Sequence, residues 1–245
     1  MKKVSVLILL FIVSLSYSQV KNDTIDIDSN KLLMRNLKNQ ELNYLVSLEK
    51  PNGDLLNASI WTRKTEIQGE IIIISQKWRN TTKQRNKLLY SILKSKNFAP
   101  IYHKTTQGSG TVKAFNFYKH KIEGSDSIKN NTEKDFLLEF NKPAFNWELD
   151  LEFLQTLPYK LNTNFVIKFY HPGGKSNPKY YNYTVIGREK IVMTDGRKIK
   201  SWVLKINYSK NNSATFWIGA KNRQVLRVEE ISGPFKAIKT KLYNS

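Results

Sequence analysis

Apolar and polar residues alternate with a period of two along most of the chain. Leu42, Tyr44, Val46 and Leu48 alternate with Glu41, Asn43, Ser47 and Glu49, broken only by Leu45. Pro51-Asn52-Gly53-Asp54 then turns the chain into Leu56, Ala58 and Ile60, with Trp61 on the other face. Alternation on both sides of an Asn-Gly turn predicts a β-hairpin. Residues 71–74 are four consecutive isoleucines, which suits a strand covered on both faces. Further strands are expected at 88–93, 111–118 and 136–140, with loops at Gly108-Ser109-Gly110 and Glu123-Gly124-Ser125-Asp126.

The C-terminal half reads as a cleaner meander. Phe165, Ile167 and Phe169 form one apolar face, His171-Pro172-Gly173-Gly174 breaks the strand, and Tyr181, Tyr183 and Val185 resume it. Asp195-Gly196 is the strongest hairpin turn in the chain. After it Trp202, Leu204, Ile206 and Tyr208 face one way, Lys205 and Asn207 the other. Turns at 210–213 and 221–223 lead into Ala214, Phe216 and Ile218, then Leu226 and Val228, and 237–243 closes the series. Short turns between adjacent antiparallel strands predict one continuous sheet.

One helix is expected at 146–157. Asn146 is suited to cap it, Glu148 and Asp150 to its first turn, and Pro158 to stop it. Trp147, Leu151 and Leu154 make one stripe; Leu149, Phe153 and Leu157 make another beside it. The segment also alternates as a strand would, but the cap and the proline stop favour the helix. A short helix this apolar needs a cover, which the concave face of a curved sheet supplies. The fold predicted is therefore mainly β: a curved antiparallel meander sheet, half-barrel or open barrel, with one short covering helix.

The N-terminus changes the compartment. Lys2 and Lys3 precede an apolar run from Val4 to Leu15, and Ser16-Tyr17-Ser18 offers small residues before a cut ahead of Gln19. This is a secretory signal pattern, too short for the roughly 20 apolar residues of a membrane span. The expected organisation is a signal peptide at 1–18, a polar tail at 19–39 and a single domain at 40–243. The expected location is the periplasm or outer envelope of a Gram-negative bacterium, with no transmembrane helix left after cleavage.

Charge suggests a class of partner. The 245 residues carry 40 Lys and Arg against 20 Asp and Glu. No acid occurs between Ile71 and Ile122, or between Gly196 and Val228. Such a field attracts polyanions. Export argues against nucleic acid and for anionic lipid or an acidic envelope polymer.

Chemistry is sparse. Cysteine is absent, which excludes disulfides, thiolate metal sites, cysteine nucleophiles and a lipid-modified N-terminal cysteine. His103, His120 and His171 have no metal-ligand spacing and read as surface histidines; no metal or cofactor is expected. There is no nucleophile elbow, phosphate loop or dinucleotide fingerprint. Glu148, Asp150 and Glu152 read as a solvated helix turn rather than as glycosidase acids. The aromatics are the positive signal. Trp61, Trp78, Phe117, Tyr170, Tyr183, Trp202 and Trp217 are candidates to line a ligand cavity where a curved sheet stops short of closing.

Several segments are distinctive together: Phe145-Asn146-Trp147-Glu148-Leu149-Asp150, Leu157-Pro158-Tyr159-Lys160, Phe169-Tyr170-His171-Pro172-Gly173, Tyr181-Asn182-Tyr183-Thr184-Val185-Ile186-Gly187, Phe216-Trp217-Ile218 and Val225-Leu226-Arg227. They resemble exported envelope proteins of the domain-of-unknown-function family numbered 3108, over about Leu42 to the C-terminus. The resemblance implies a sheet similar to the half-barrel of periplasmic lipoprotein carriers, which bind acyl chains on the concave face beneath helices. It brings no catalytic residues, and those carriers have more helical covering than the single helix visible here. The leading reading is a non-catalytic envelope protein that binds a lipid, lipoprotein or other amphiphile in a half-barrel cavity. A basic surface module for acidic glycan or lipopolysaccharide, and an enzyme without a recognisable motif, are the alternatives.

Overall fold

A computed structural model describes residues 20–243; the expected signal peptide lies outside them. β1 (Lys21–Ile25) leads through a 3-10 turn at Met34–Asn36 to β2 (Gln40–Glu49), β3 (Leu55–Gln68) and β4 (Ile71–Asn80). Then come β5 (Lys87–Lys94), β6 (Pro100–Gln107), β7 (Val112–Phe117), β8 (Lys121–Gly124), β9 (Leu137–Glu139) and β10 (Phe145–Asn146). A 3-10 turn at Trp147–Leu149 runs into the helix α1 (Asp150–Leu154). β11 (Thr163–Tyr170), β12 (Lys179–Val192) and β13 (Lys198–Ser209) follow, then β14 (Asn212–Gly219), β15 (Val225–Ser232) and β16 (Phe235–Leu242).

All sixteen strands belong to one sheet, in the order β1-β11-β12-β13-β14-β15-β16-β2-β3-β4-β5-β6-β7-β8-β9, with β10 also on β11. The sheet is open, with β1 and β10 at one edge and β9 at the other. β1 and β10 run parallel to β11; the remaining neighbours pair antiparallel, most through short turns and β16 with β2 across the length of the chain. Glycine supplies the left-handed backbone at turns such as those of Gly53 (φ 86°) and Gly196 (φ 79°).

The curved sheet wraps the helix. Leu149, Leu151, Phe153, Leu154 and Leu157 are all buried in one cluster with Phe165, Ile167, Tyr183, Leu204, Ile206 and Phe216 of the sheet. Both apolar stripes of the segment are therefore covered, and Asn146 caps its start, its Oδ1 accepting from the Glu148 N–H at 2.9 Å. The regular helix is shorter than 146–157: Phe145 and Asn146 are still paired with Phe169 and Tyr170 of β11, Trp147–Leu149 form a 3-10 turn, and the regular turns end at Leu154.

Three expectations change. The expected polar tail at 19–39 is, over its described residues 20–39, part of the fold: β1 pairs with β11, and Ile25, Ile27 and Leu37 are buried in the main core. These three residues, with Leu32 and Met34 packed against the same core, anchor the stretch, and the edge of β11 supplies the backbone partners of β1. On β3 the inward face is not that of Leu56 and Ile60. Register sets Trp61 opposite Tyr44, so Ser59, Arg63 and Thr65 point inward and are buried, and Leu56 is exposed. Glu152 is not solvated. It is 1% exposed, because the helix is enclosed on every side and its polar flank meets β3.

A second, smaller core joins Phe115, Phe117, Ile122, Ala144 and Tyr170, with Phe136, Leu138 and Phe140 packed on it. It sits where the two sheet edges approach each other.

Candidate functional site at the seam of the open sheet

The chain itself crosses the gap between the edges. β9 ends at Glu139 on one side, and β10 begins at Phe145 on the other. The short crossing is tied down at both ends: the Phe140 N–H donates to the His120 carbonyl (2.9 Å), and Lys168 Nζ of β11 donates to the Lys142 carbonyl (3.1 Å). Below it, Phe117 of β7 and Tyr170 of β11 meet edge to face, centroids 6.3 Å apart. Gly173, at φ 81°, brings the turn after β11 against the Phe115 ring, where a Cβ would stand 3.1 Å from Cζ.

Beside this contact a groove of about 580 Å³ opens, with Ile27, Ala99, Ile101, Phe117, Pro143 and Ala144 on its walls and Asp28, Lys94 and Lys119 also lining it. The β5–β6 turn forms one wall. Phe98 takes φ 59° there and turns fully inward onto Phe153 (5.6 Å), while Asn97 Nδ2 donates to the Ile27 carbonyl (3.0 Å). Phe140 borders both this groove and a second hollow of about 560 Å³, which is lined by His120, Glu139, Asn141, Lys168 and Asn177. Burial holds the Lys168 ammonium below its ordinary range, with Lys142 acting in the same sense and Asp26 against it. The seam thus holds an apolar hollow and a polar one on either side of one phenylalanine.

Behind the seam, polar groups position the helix. Arg63 clasps Glu152 through Nε (2.8 Å) and Nη2 (2.6 Å), and Arg63 and Gln76 both donate to the Glu148 carbonyl (3.0 and 2.8 Å). His103 is 1% exposed, contrary to a surface histidine. Its Nδ1 lies 2.8 Å from Ser91 Oγ and 3.1 Å from Asn146 Nδ2, and its Nε2 lies 3.0 Å from Thr105 Oγ1. The Asn146 carbonyl oxygen already accepts from Glu148, so its amide nitrogen donates to His103, and the proton of the neutral ring belongs on Nε2. Burial pushes His103 down to about 3, which agrees with a neutral ring. Burial pushes Asp150 up to about 6, against the opposing pull of Arg63 and Lys239.

The seven aromatic residues singled out in the sequence do not converge. Phe117 and Tyr170 meet at the seam, and Phe117 lines its groove. Trp61 and Trp78 stack in parallel at 3.9 Å on the concave face, with Lys239 over the first (5.3 Å) and Lys87 over the second (4.8 Å). Tyr183 is 0% exposed in the main core, its hydroxyl without a hydrogen-bond partner among the described residues. Trp202 is buried beneath Tyr159 (5.8 Å) and Arg188 (3.6 Å). Trp217 alternates with the core residues Phe216 and Ile218 and so points to the convex face, where Nε1 donates to Glu189 Oε1. Ile27, Ile101, Pro143 and Ala144 were missed because they come from three separate chain segments with no local pattern in common.

Fold and site together define a mainly-β protein: one open curved sheet around a short buried helix, with a lined seam where closure fails. The chain belongs to the family described as Protein of unknown function (DUF3108), whose model matches residues 43–240. Among solved structures it is similar to a DUF1329 family protein from Desulfovibrio piger, at 9% identity and TM-score 0.35, over 86% of this chain and 87% of that one. It is similar also to a protein from Bacteroides fragilis with a YmcC-like fold, at 10% identity and TM-score 0.31, over 84% and 96%. Similarity at this level says nothing about ligand or activity. No curated protein matches the chain. Among the described residues no helix is long and apolar enough to cross a membrane.

Proposed function

We propose that the protein is an exported, non-catalytic binder of an amphiphile, held in the seam of its open sheet. The apolar chain lies between Ile27, Ile101, Phe117, Pro143 and Ala144, and the polar head passes Phe140 towards His120 and Lys168. The observation that carries this reading is the meeting of the apolar and the polar hollow at Phe140. Each is of the size that holds a small ligand, roughly 300–1,000 Å³. The signal pattern at 1–18 supports export, and the lysines at the rim suit an anionic head.

Titration with a dansylated fatty acid tests the reading. Saturable emission enhancement is expected, abolished by Ala144→Trp, which fills the groove, and by Ile101→Lys, which places a charge in it. Unchanged melting temperatures confirm that these variants fold. Absence of saturable binding, or equal binding by both folded variants, overturns the reading.

A further inference from the structure

The convex face carries a hollow that is independent of the seam. Thr62 and Lys64 of β3, Lys77 of β4, Leu88 and Tyr90 of β5, and Lys104 of β6 border a groove of about 390 Å³. Register explains the gathering. Thr62 pairs with Lys77, Lys77 with Leu88, and Tyr90 with Lys104, and directly paired residues share a face. At the strand ends the groove continues into a smaller hollow of about 190 Å³ bordered by Lys77, Arg79, Lys83 and Lys87, the two having Lys77, Leu88 and Thr106 in common.

Charge along this path is one-sided. Among the described residues, Glu41 is the single carboxylate lining either hollow. Lys64 is paired with Glu66 at 3.0 Å, and Lys87 sits over Trp78. Among the described residues, Lys77, Arg79, Lys83 and Lys104 have no ion-pair partner. Cations gathered along a cleft without counter-charges focus a positive potential there. On a regular lattice of strands, Lys77 and Lys104 stand roughly 12 Å apart, two strands across and two residues along. Between them lie the Tyr90 ring and Leu88, which is 53% exposed. Repeated cations around an aromatic and aliphatic floor match a chain of rings that carries repeated anions.

We propose that this groove binds an acidic polysaccharide. Its carboxylates or phosphates lie against Lys77, Arg79 and Lys104, and its sugar faces lie on Tyr90 and Leu88. A groove accepts a polymer chain better than it accepts a flat bilayer, which separates this partner from an anionic membrane surface.

The test uses the full exported chain with polygalacturonate, neutral dextran, and vesicles of phosphatidylglycerol and phosphatidylcholine. Polygalacturonate is expected to bind, to weaken roughly tenfold between 50 and 300 mM salt as screening shortens, and to lose at least tenfold in affinity in Lys77→Glu/Lys104→Glu. Lys190→Glu/Lys200→Glu, the same charge change at exposed positions of the β12–β13 hairpin, is expected to lose less than threefold. Unchanged melting temperatures exclude misfolding of either variant. Equal losses in both variants would reduce the groove to diffuse attraction. Failure of polygalacturonate to bind, binding of dextran to the same extent, or groove-dependent binding to the vesicles alone would overturn the proposal. The fatty-acid titration of the seam is unaffected by any of these outcomes.

Discussion

Across β11–β15 the concave face is mostly carbon, whereas across β3–β6 the same face mixes Ile72, Ile74, Leu89 and Leu93 with Ser59, Arg63, Thr65, Gln76, Ser91, His103 and Thr105. The first arc meets the helix through Phe165, Tyr183, Leu204 and Phe216, in the same cluster as Leu149, Leu151, Phe153 and Leu154. The second adds directed bonds to its apolar contacts: Arg63 to Glu152, Arg63 and Gln76 to the Glu148 carbonyl, and Asn146 to His103. Between them β16 is mixed, with Lys239 reaching inward to Glu230 and over the Trp61 ring. Apolar contact is non-directional and scales with area, so the first arc supplies burial but sets the angle of the helix only loosely. Hydrogen bonds and a forked ion pair have fixed geometry, so the second arc orients it. That orientation places β10 on β11, and with it the crossing segment that roofs the seam.

Breaking the directed arc at its ion pair is expected to have the largest effect. Glu152→Ala leaves the buried Arg63 without its partner and should cost about 3–5 kcal/mol in urea unfolding, as unpaired buried charge does. Arg63→Met/Glu152→Leu, which removes both charges, should recover most of that loss. If the single and the double variant are equally damaged, the arc acts through packing and the contrast between the two arcs fails.

Acid is next. His103 is held neutral in the fold, its value far below that of an unfolded histidine. Its stabilisation is complete above the unfolded value near 6.5 and is lost as pH falls, because the unfolded chain takes up the proton first. About 3 kcal/mol should disappear between pH 6.5 and 4, and His103→Gln should flatten that part of the stability profile.

Asp150 should show the opposite sign with a smaller size. Its carboxyl is raised to about 6, so the fold favours its protonated form; that contribution is full below the unfolded value near 4 and is lost as pH rises through 6. Asp150→Asn should therefore stabilise by about 2–3 kcal/mol at pH 8, with the gain vanishing by pH 4. Smallest of all is Glu148→Ala, expected within about 0.5 kcal/mol of the parent, since β3 and β4 bind the Glu148 carbonyl of the main chain and not its side chain.

The two arcs also differ in how far the sequence reveals them. Residues 163–232 alternate over most of each strand, with register shifts at Val185–Gly187, Asn207–Ser209 and Trp217–Ile218. They carry Asp-Gly and Asn-rich turns, so their strands and most of their inward faces are legible, as is the helix that precedes them. The inward face of β3 is not, because Ser59, Arg63 and Thr65 look like a solvent face until the helix that satisfies them is placed. Glu152 and His103 misled for the same reason: a buried polar group is recognisable only with its partner, and the partners stand 89 residues away at Arg63 and 43 away at Asn146. The seam was hidden more deeply. That a part-closed sheet leaves an apolar mouth follows from strand pattern alone, but which edges meet there depends on β1 and β10 both adding to β11, and neither addition has a sequence signal.

The central claim is that an apolar chain occupies the seam beside Phe140 and not the stacked tryptophans of the concave face. Quenching by a brominated fatty acid tests this directly. In the parent protein, Trp61, Trp78, Trp147, Trp202 and Trp217 should keep their fluorescence on saturation. In Phe140→Trp, the added indole should be strongly quenched at the same ligand concentration. Strong quenching of the parent, or none in Phe140→Trp, would contradict the account.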